Sequence, residues 1–140
     1  MAGYSGTPLM QKLGIKPGHR VFVMNAPDKF EQMLGALPQD AAYVARTAKH
    51  IDVVVCFEKS AADFQKHLAS LANRIKSDGM IWIGWPKKAS GVATDLTENP
   101  IRDYALTLGL VDIKVCAIDD TWSGLKLAIR KENRAQRARA

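Results

Sequence analysis

Basic and hydroxyl-bearing residues gather in one short stretch of this chain, where the apolar run Met80 to Trp85 gives way to Pro86-Lys87-Lys88-Ala89-Ser90-Gly91-Val92-Ala93-Thr94-Asp95. Lysine ammonium groups, hydroxyls and the free amides of a Gly-containing loop are the groups that receive a phosphate or carboxylate. A second polar segment, Asp119-Asp120-Thr121-Trp122-Ser123-Gly124, follows another β-branched apolar run. If both segments leave the carboxyl ends of parallel strands they flank one crevice, the place where open α/β sheets bind ligands. The candidate ligand-binding residues are then Trp85, Lys87, Lys88, Ser90, Gly91, Thr94, Asp95, Trp122 and Ser123, with either tryptophan offering a flat face to a ring. The expected occupant is a small anionic ligand or a protein partner. No cofactor and no catalytic residue is assigned.

Each of these residues also has an ordinary structural use. Lys87-Lys88 serves as a solvated pair, Ser90-Gly91 as a turn, Thr94-Asp95 as a local cap, and the tryptophans as packing anchors. Asp119-Asp120 suits a salt bridge to Lys87 or Lys88, or a hard cation. The histidines argue against a hydrolase, since His19 and His50 precede strands at the opposite edge and His67 falls part-way along a helix. A zinc site or a Ser-His-Asp triad needs such groups to converge. Cys56 and Cys116 sit inside apolar runs without CxxC spacing and read as buried reduced thiols, so no metal ligand is assigned.

The elements that must position these residues alternate along the chain. Thr7 as N-cap, Pro8 as first helical residue and Gly14 just past the end frame a short first helix. Arg20 to Asn25 reads as a strand buried on both faces, followed by a helix from Asp28 to Leu34 that stops at Gly35. Ala41 to Ala45 is a weak strand, and Ile51 to Phe57 a strong one. Ser60 to Asp63 has the form of a capping box, and Phe64, Leu68, Leu71, Ala72 and Ile75 share one helical face until Gly79. Met80 to Trp85 is the next buried strand, and a helix from Thr97 or Asn99 through Leu108 is closed by Gly109. Val111 to Ile118 and Leu125 to Arg130, joined by too few residues for a crossover, must form an antiparallel hairpin. The order predicts a single Rossmann-like three-layer α/β domain over residues 1–130, with a mostly parallel sheet and a carboxyl-terminal antiparallel hairpin.

Composition bounds the rest. At 140 residues, 47% hydrophobic and 24% charged, the chain has the balance of a soluble globular domain with a real core. No apolar run approaches the length of a membrane span and no signal-peptide core opens the sequence, so a cytoplasmic location is expected. Much of the net charge of +6 comes from the basic end at 131–140, which is expected to be a frayed, solvated tail. Nucleic-acid binding is not expected, because the body shows no basic stripe with stacking aromatics and no recognition helix. An unpaired sheet edge or the tryptophan-bearing rim leaves open an oligomeric scaffold as a different class of function.

The order of elements resembles a shortened class I S-adenosylmethionine-dependent methyltransferase. That resemblance implies a glycine-rich loop after the first strand and an acidic residue ending the second, to hold the ribose hydroxyls. Here those places hold Asn25-Ala26-Pro27-Asp28 and Tyr43-Val44-Ala45-Arg46, with neither feature. A degenerate methyltransferase is therefore the rival expectation. A second resemblance covers nearly the whole chain, through Tyr4-Ser5-Gly6-Thr7-Pro8-Leu9, Asn25-Ala26-Pro27, Trp85-Pro86-Lys87-Lys88, Ser90-Gly91-Val92, Thr94-Asp95-Leu96 and Trp122-Ser123-Gly124-Leu125-Lys126. In these motifs the chain resembles a bacterial family of small proteins of unknown function, which implies no activity.

Overall fold

Residues Ile51–Phe57 are almost wholly buried, which a strand achieves only when it is paired on both edges and covered on both faces. In the computed structural model, which describes residues 8–134, this strand (β3) lies between β1 (Arg20–Met24) and β4 (Ile75–Pro86), parallel to both. The two-residue β2 (Ala42–Tyr43) extends the parallel part beyond β1. On the other side β6 (Trp122–Ile129) runs antiparallel to β4, and β5 (Leu110–Ala117) antiparallel to β6. The sheet order is β2-β1-β3-β4-β6-β5. This is the mostly parallel sheet with a terminal hairpin that the sequence predicts, and β5 points the same way as the parallel strands.

Helices cover both faces. On one, Phe64, Leu68 and Leu71 of α3 (Ala61–Leu71) and Ile101 and Ala105 of α4 (Glu98–Thr107) pack over Met24, Cys56, Ile83 and Leu125. On the other, Leu9 and Leu13 of α1 (Leu9–Leu13) and Phe30 and Leu34 of α2 (Phe30–Leu34) pack over Val53, Val55, Phe57 and Trp82. The Trp82 ring is fully buried, and its Nε1–H donates to the Leu13 carbonyl at 3.0 Å, so its one polar atom is satisfied while it fixes α1 to the sheet. No helix among the described residues is long and apolar enough to cross a membrane.

Several boundaries differ from the sequence expectation. Helical spacing carries α3 on to Ile75, but the helix ends at Leu71 and Ile75 opens β4 opposite Ile51. Ile75 joins the same core cluster as Leu71, so burial does not distinguish the two conformations. Gly79 is accordingly a strand residue, not a helix stop; a Cβ there would stand 2.9 Å from the Ile51 carbonyl oxygen. β6 begins at Trp122 rather than Leu125, because Asp119 Oδ1 accepts from the amides of Thr121 at 2.8 Å and Trp122 at 2.7 Å and tightens the hairpin turn. Pro8 caps α1 instead of starting it, and Thr7 lies outside the described residues. Lys131 to Arg134 form a helical turn, with Arg134 Nε donating to the Ile129 carbonyl at 3.0 Å; residues 135–140 lie outside the described part.

Gly84 and Gly124 face each other across β4 and β6. A Cβ on Gly124 would lie 3.0 Å from Ile118 Cδ1 and 3.2 Å from Trp82 Cε3, and one on Gly84 would lie 3.0 Å from Phe57 Cδ2. Gly124→Ala is expected to destabilise the protein by about 1–3 kcal/mol through overpacking. The urea midpoint should fall with an unchanged slope, and an unchanged midpoint would show that Ile118 gives way freely.

Candidate functional site

The parallel strands end together, at Asn25, Glu58 and Lys87, and the β5–β6 turn joins them, with the Lys87 amide donating to the Thr121 carbonyl at 2.7 Å. After β1 the chain moves outward to β2 and then returns to β3 on the other flank of β1, so the loops following β1 and β3 diverge. Such a reversal of direction leaves a crevice. Here it is a cleft of about 630 Å³. Asn25, Ala26, Pro27 and Asp28 form one wall, Phe57 to Ser60 and Asp63 another, and Val92, Thr121 and Trp122 close it.

Asn25 leaves β1 with φ of 59°, in the left-handed region that asparagine tolerates better than most residues. A sharp turn is thus made here without glycine. The lining carries two exposed carboxylates, Asp28 and Asp63, against one ammonium, Lys59, while the Glu58 side chain turns away beneath α3, so the cleft is mildly acidic. Its floor carries the rings of Phe57 and Trp122, with Phe30 buried behind them. Phe57 meets Phe30 and Trp122 edge-on, each at 5.1 Å between centroids.

Of the residues singled out from the sequence, Trp122 lines this cleft, while the lysine loop passes beside it. Trp85 and Trp122 fall on opposite faces of the sheet, in separate core clusters, so they do not flank one ligand. Ser123 pairs with Trp85 and shares its face. Ser90 Oγ donates to the Lys87 carbonyl at 2.6 Å and accepts from the Val92 amide at 3.2 Å, with Gly91 taking φ of 75° to end the short 3-10 turn Lys88–Ser90. Thr94 Oγ1 donates to the Lys59 carbonyl at 2.6 Å, and Asp95 Oδ1 accepts from the Ala61 amide at 2.7 Å. These hydroxyls and this carboxylate hold the loop across the start of α3. Lys87 is half-buried and Lys88 is exposed.

A second polar group lies under α3, where sequence reading assigned none. Cys56 near the end of β3 and Glu58 just past it, two residues apart, share a face, and α3 lays His67 over them. The Cys56 thiol donates to Glu58 Oε2 at 3.2 Å, and His67 Nδ1 lies 2.6 Å from the same oxygen. An ionised carboxylate only accepts, so opposite that form Nδ1 carries the proton. Burial, then the Glu58 charge and hydrogen bond, push the Cys56 thiol far above its ordinary range, with Arg46 partly opposing. The signal for His67 was its spacing from Phe64 and Leu71, three and four residues away, which sets it on the sheet-facing side of the helix.

Residues 11–131 match the family described as Protein of unknown function (DUF3052). The chain belongs to that family. Among solved structures, this DUF3052 chain is similar to magnesium protoporphyrin IX methyltransferase from Synechocystis PCC 6803 with bound SAM, at a TM-score of 0.56 and 11% identity over 86% of this chain and 74% of that one. It is also similar to a SAM dependent methyltransferase from Aquifex aeolicus, at a TM-score of 0.55 and 13% identity over 85% and 86% of the two chains. At such identity the likeness establishes the fold, which is methyltransferase-like. No curated protein matches the DUF3052 chain significantly.

Native protein treated with a thiol reagent at neutral pH should be modified slowly at half-buried Cys116 and not at Cys56. Peptide mass mapping checks this, with Cys56 labelled only after denaturant is added. Rapid native labelling of Cys56 would contradict its burial beneath α3.

Proposed function

We propose that the chain is a small-molecule-binding module that takes an adenosyl ligand of the S-adenosylmethionine class in the cleft between the carboxyl ends of β1 and β3. The position of that cleft, at the reversal of strand order, carries the reading. The bound SAM in the Synechocystis relative supports it. So does charge, because S-adenosylmethionine is a net cation and the lining holds exposed Asp28 and Asp63 against Lys59. A nucleoside polyphosphate would meet repulsion in the same place. The absence of a carboxylate at the end of β2, where Tyr43 leads into Val44-Ala45-Arg46, removes the usual hold on a ribose and favours a binding role over efficient methyl transfer.

A second reading keeps the anionic ligand at the rim formed by Lys87, Lys88 and the β5–β6 turn, without a shared tryptophan wall. The bond between the Lys87 amide and the Thr121 carbonyl, which holds the two segments together, favours it.

Calorimetry with S-adenosylmethionine, S-adenosylhomocysteine and ATP separates the two. One-to-one binding of the adenosyl compounds and much weaker binding of ATP are expected. The double change Asp28→Asn with Asp63→Asn should weaken S-adenosylmethionine by about threefold, as screened surface charges do. Tight ATP binding that is lost on Lys87→Ala with Lys88→Ala would transfer the site to the rim, and no binding of either adenosyl compound would overturn the first reading.

A further inference from the structure

The trio beneath α3 has the composition of a metal centre. We propose that Cys56, Glu58 and His67 bind a thiophilic transition-metal ion of the zinc(II) type. Their three donor atoms, one sulfur, one oxygen and one nitrogen, all lie within 4.8 Å of one another. Thiolate, carboxylate and imidazole are the donors from which three-ligand zinc sites with one open position are built. Cys56 is wholly buried and Glu58 is 3% exposed.

Hydrogen bonding alone accounts for this trio poorly. Both contacts fall on Glu58 Oε2, and among the described residues Glu58 Oε1 has no hydrogen-bond partner. A buried carboxylate with half its acceptor capacity unused is costly, and an apolar side chain at the end of β3 would avoid that cost. A divalent ion balances one thiolate and one carboxylate and uses the lone pairs that the protein leaves over.

The surroundings supply the remaining position. Met24 stands opposite Cys56 in the β1–β3 register, and its Sδ is 3.8 Å from Cys56 Sγ, within reach of becoming a fourth, soft donor. A small cavity of about 30 Å³ borders Met24 and His67, enough for a single water as the alternative. On binding, the Cys56 S–H bond breaks and its proton passes to solvent while the sulfur joins the metal. The imidazole coordinates through Nδ1 with its proton on Nε2, and the Glu58 and His67 donors separate slightly to sit about 2.0–2.2 Å from the ion.

The test uses the full chain, freed of metal by a chelator and then titrated with Zn²⁺ against a chromophoric competitor, with no nucleoside present, so that its outcome is independent of the adenosyl reading. One equivalent of Zn²⁺ is expected to bind, and Co²⁺ in its place should give a thiolate-to-cobalt charge-transfer band. Cys56→Ala and His67→Gln should each weaken Zn²⁺ by about a hundredfold, and Cys56→Ala should abolish the band. A stronger response to Cu⁺ that is lost in the same variants would support the site and assign it the softer ion. A wild-type protein that shows no such band overturns the proposal even if the variants fail to fold. Equal Zn²⁺ affinity in wild type and both variants overturns it as well.

Discussion

Two glycines set against each other, Gly84 on β4 and Gly124 on β6, govern how the last hairpin meets the parallel sheet. The surface is bare at that one pair, so the Ile118 side chain and the Phe57 ring can lie flat on it. A shift of one residue would put a side chain where those atoms lie and would turn the outer face of β6 inward. With the register held, Trp122 falls opposite Pro86 and its ring reaches Phe57. The closed side of the cleft therefore depends on a contact made by atoms that are missing.

The loop after β4 shows how polar residues can look free in a sequence and be engaged in the structure. Ser90, Thr94 and Asp95 satisfy the Lys87 and Lys59 carbonyls and the Ala61 amide, and so anchor the loop over the β3–α3 corner. Their work is to place Val92 at the mouth of the cleft. The acidic character of that mouth comes instead from Asp28, in the loop after β1, and Asp63, in the first turn of α3.

The strands were legible because continuous apolar runs such as Val53 to Phe57 leave few alternatives to a doubly covered strand, and Gly14, Gly35 and Gly109 marked helix ends through their positive φ. The end of α3 was not legible, since Ile75 satisfies helical spacing and strand burial equally well. The start of β6 was hidden by Asp119, whose side chain compresses the turn and returns Trp122 to the ladder opposite Pro86 of β4. The site was legible as an edge but not as a list. Which of Trp85 and Trp122 faces the cleft follows from strand alternation once the register is known, and sequence does not supply the register. The trio of Cys56, Glu58 and His67 needed more still, because it depends on the rotation of α3 and on the way β3 passes beneath it.

The order in which strands are joined has a consequence for synthesis of the chain. β1 emerges early, yet its inner neighbour β3 is not complete until Phe57, and the interior edge of β4 has no partner until Trp122 to Ile129 have left the ribosome. For the interval between, the edge that carries Ile81, Trp82 and Ile83 stands open, the condition under which nascent sheets pair wrongly with other chains. The hairpin that arrives last is thus a seal as well as a wall, and a ribosome stalled near residue 120 would hold a chain with its ring-lined hollow unformed and its central sheet unguarded.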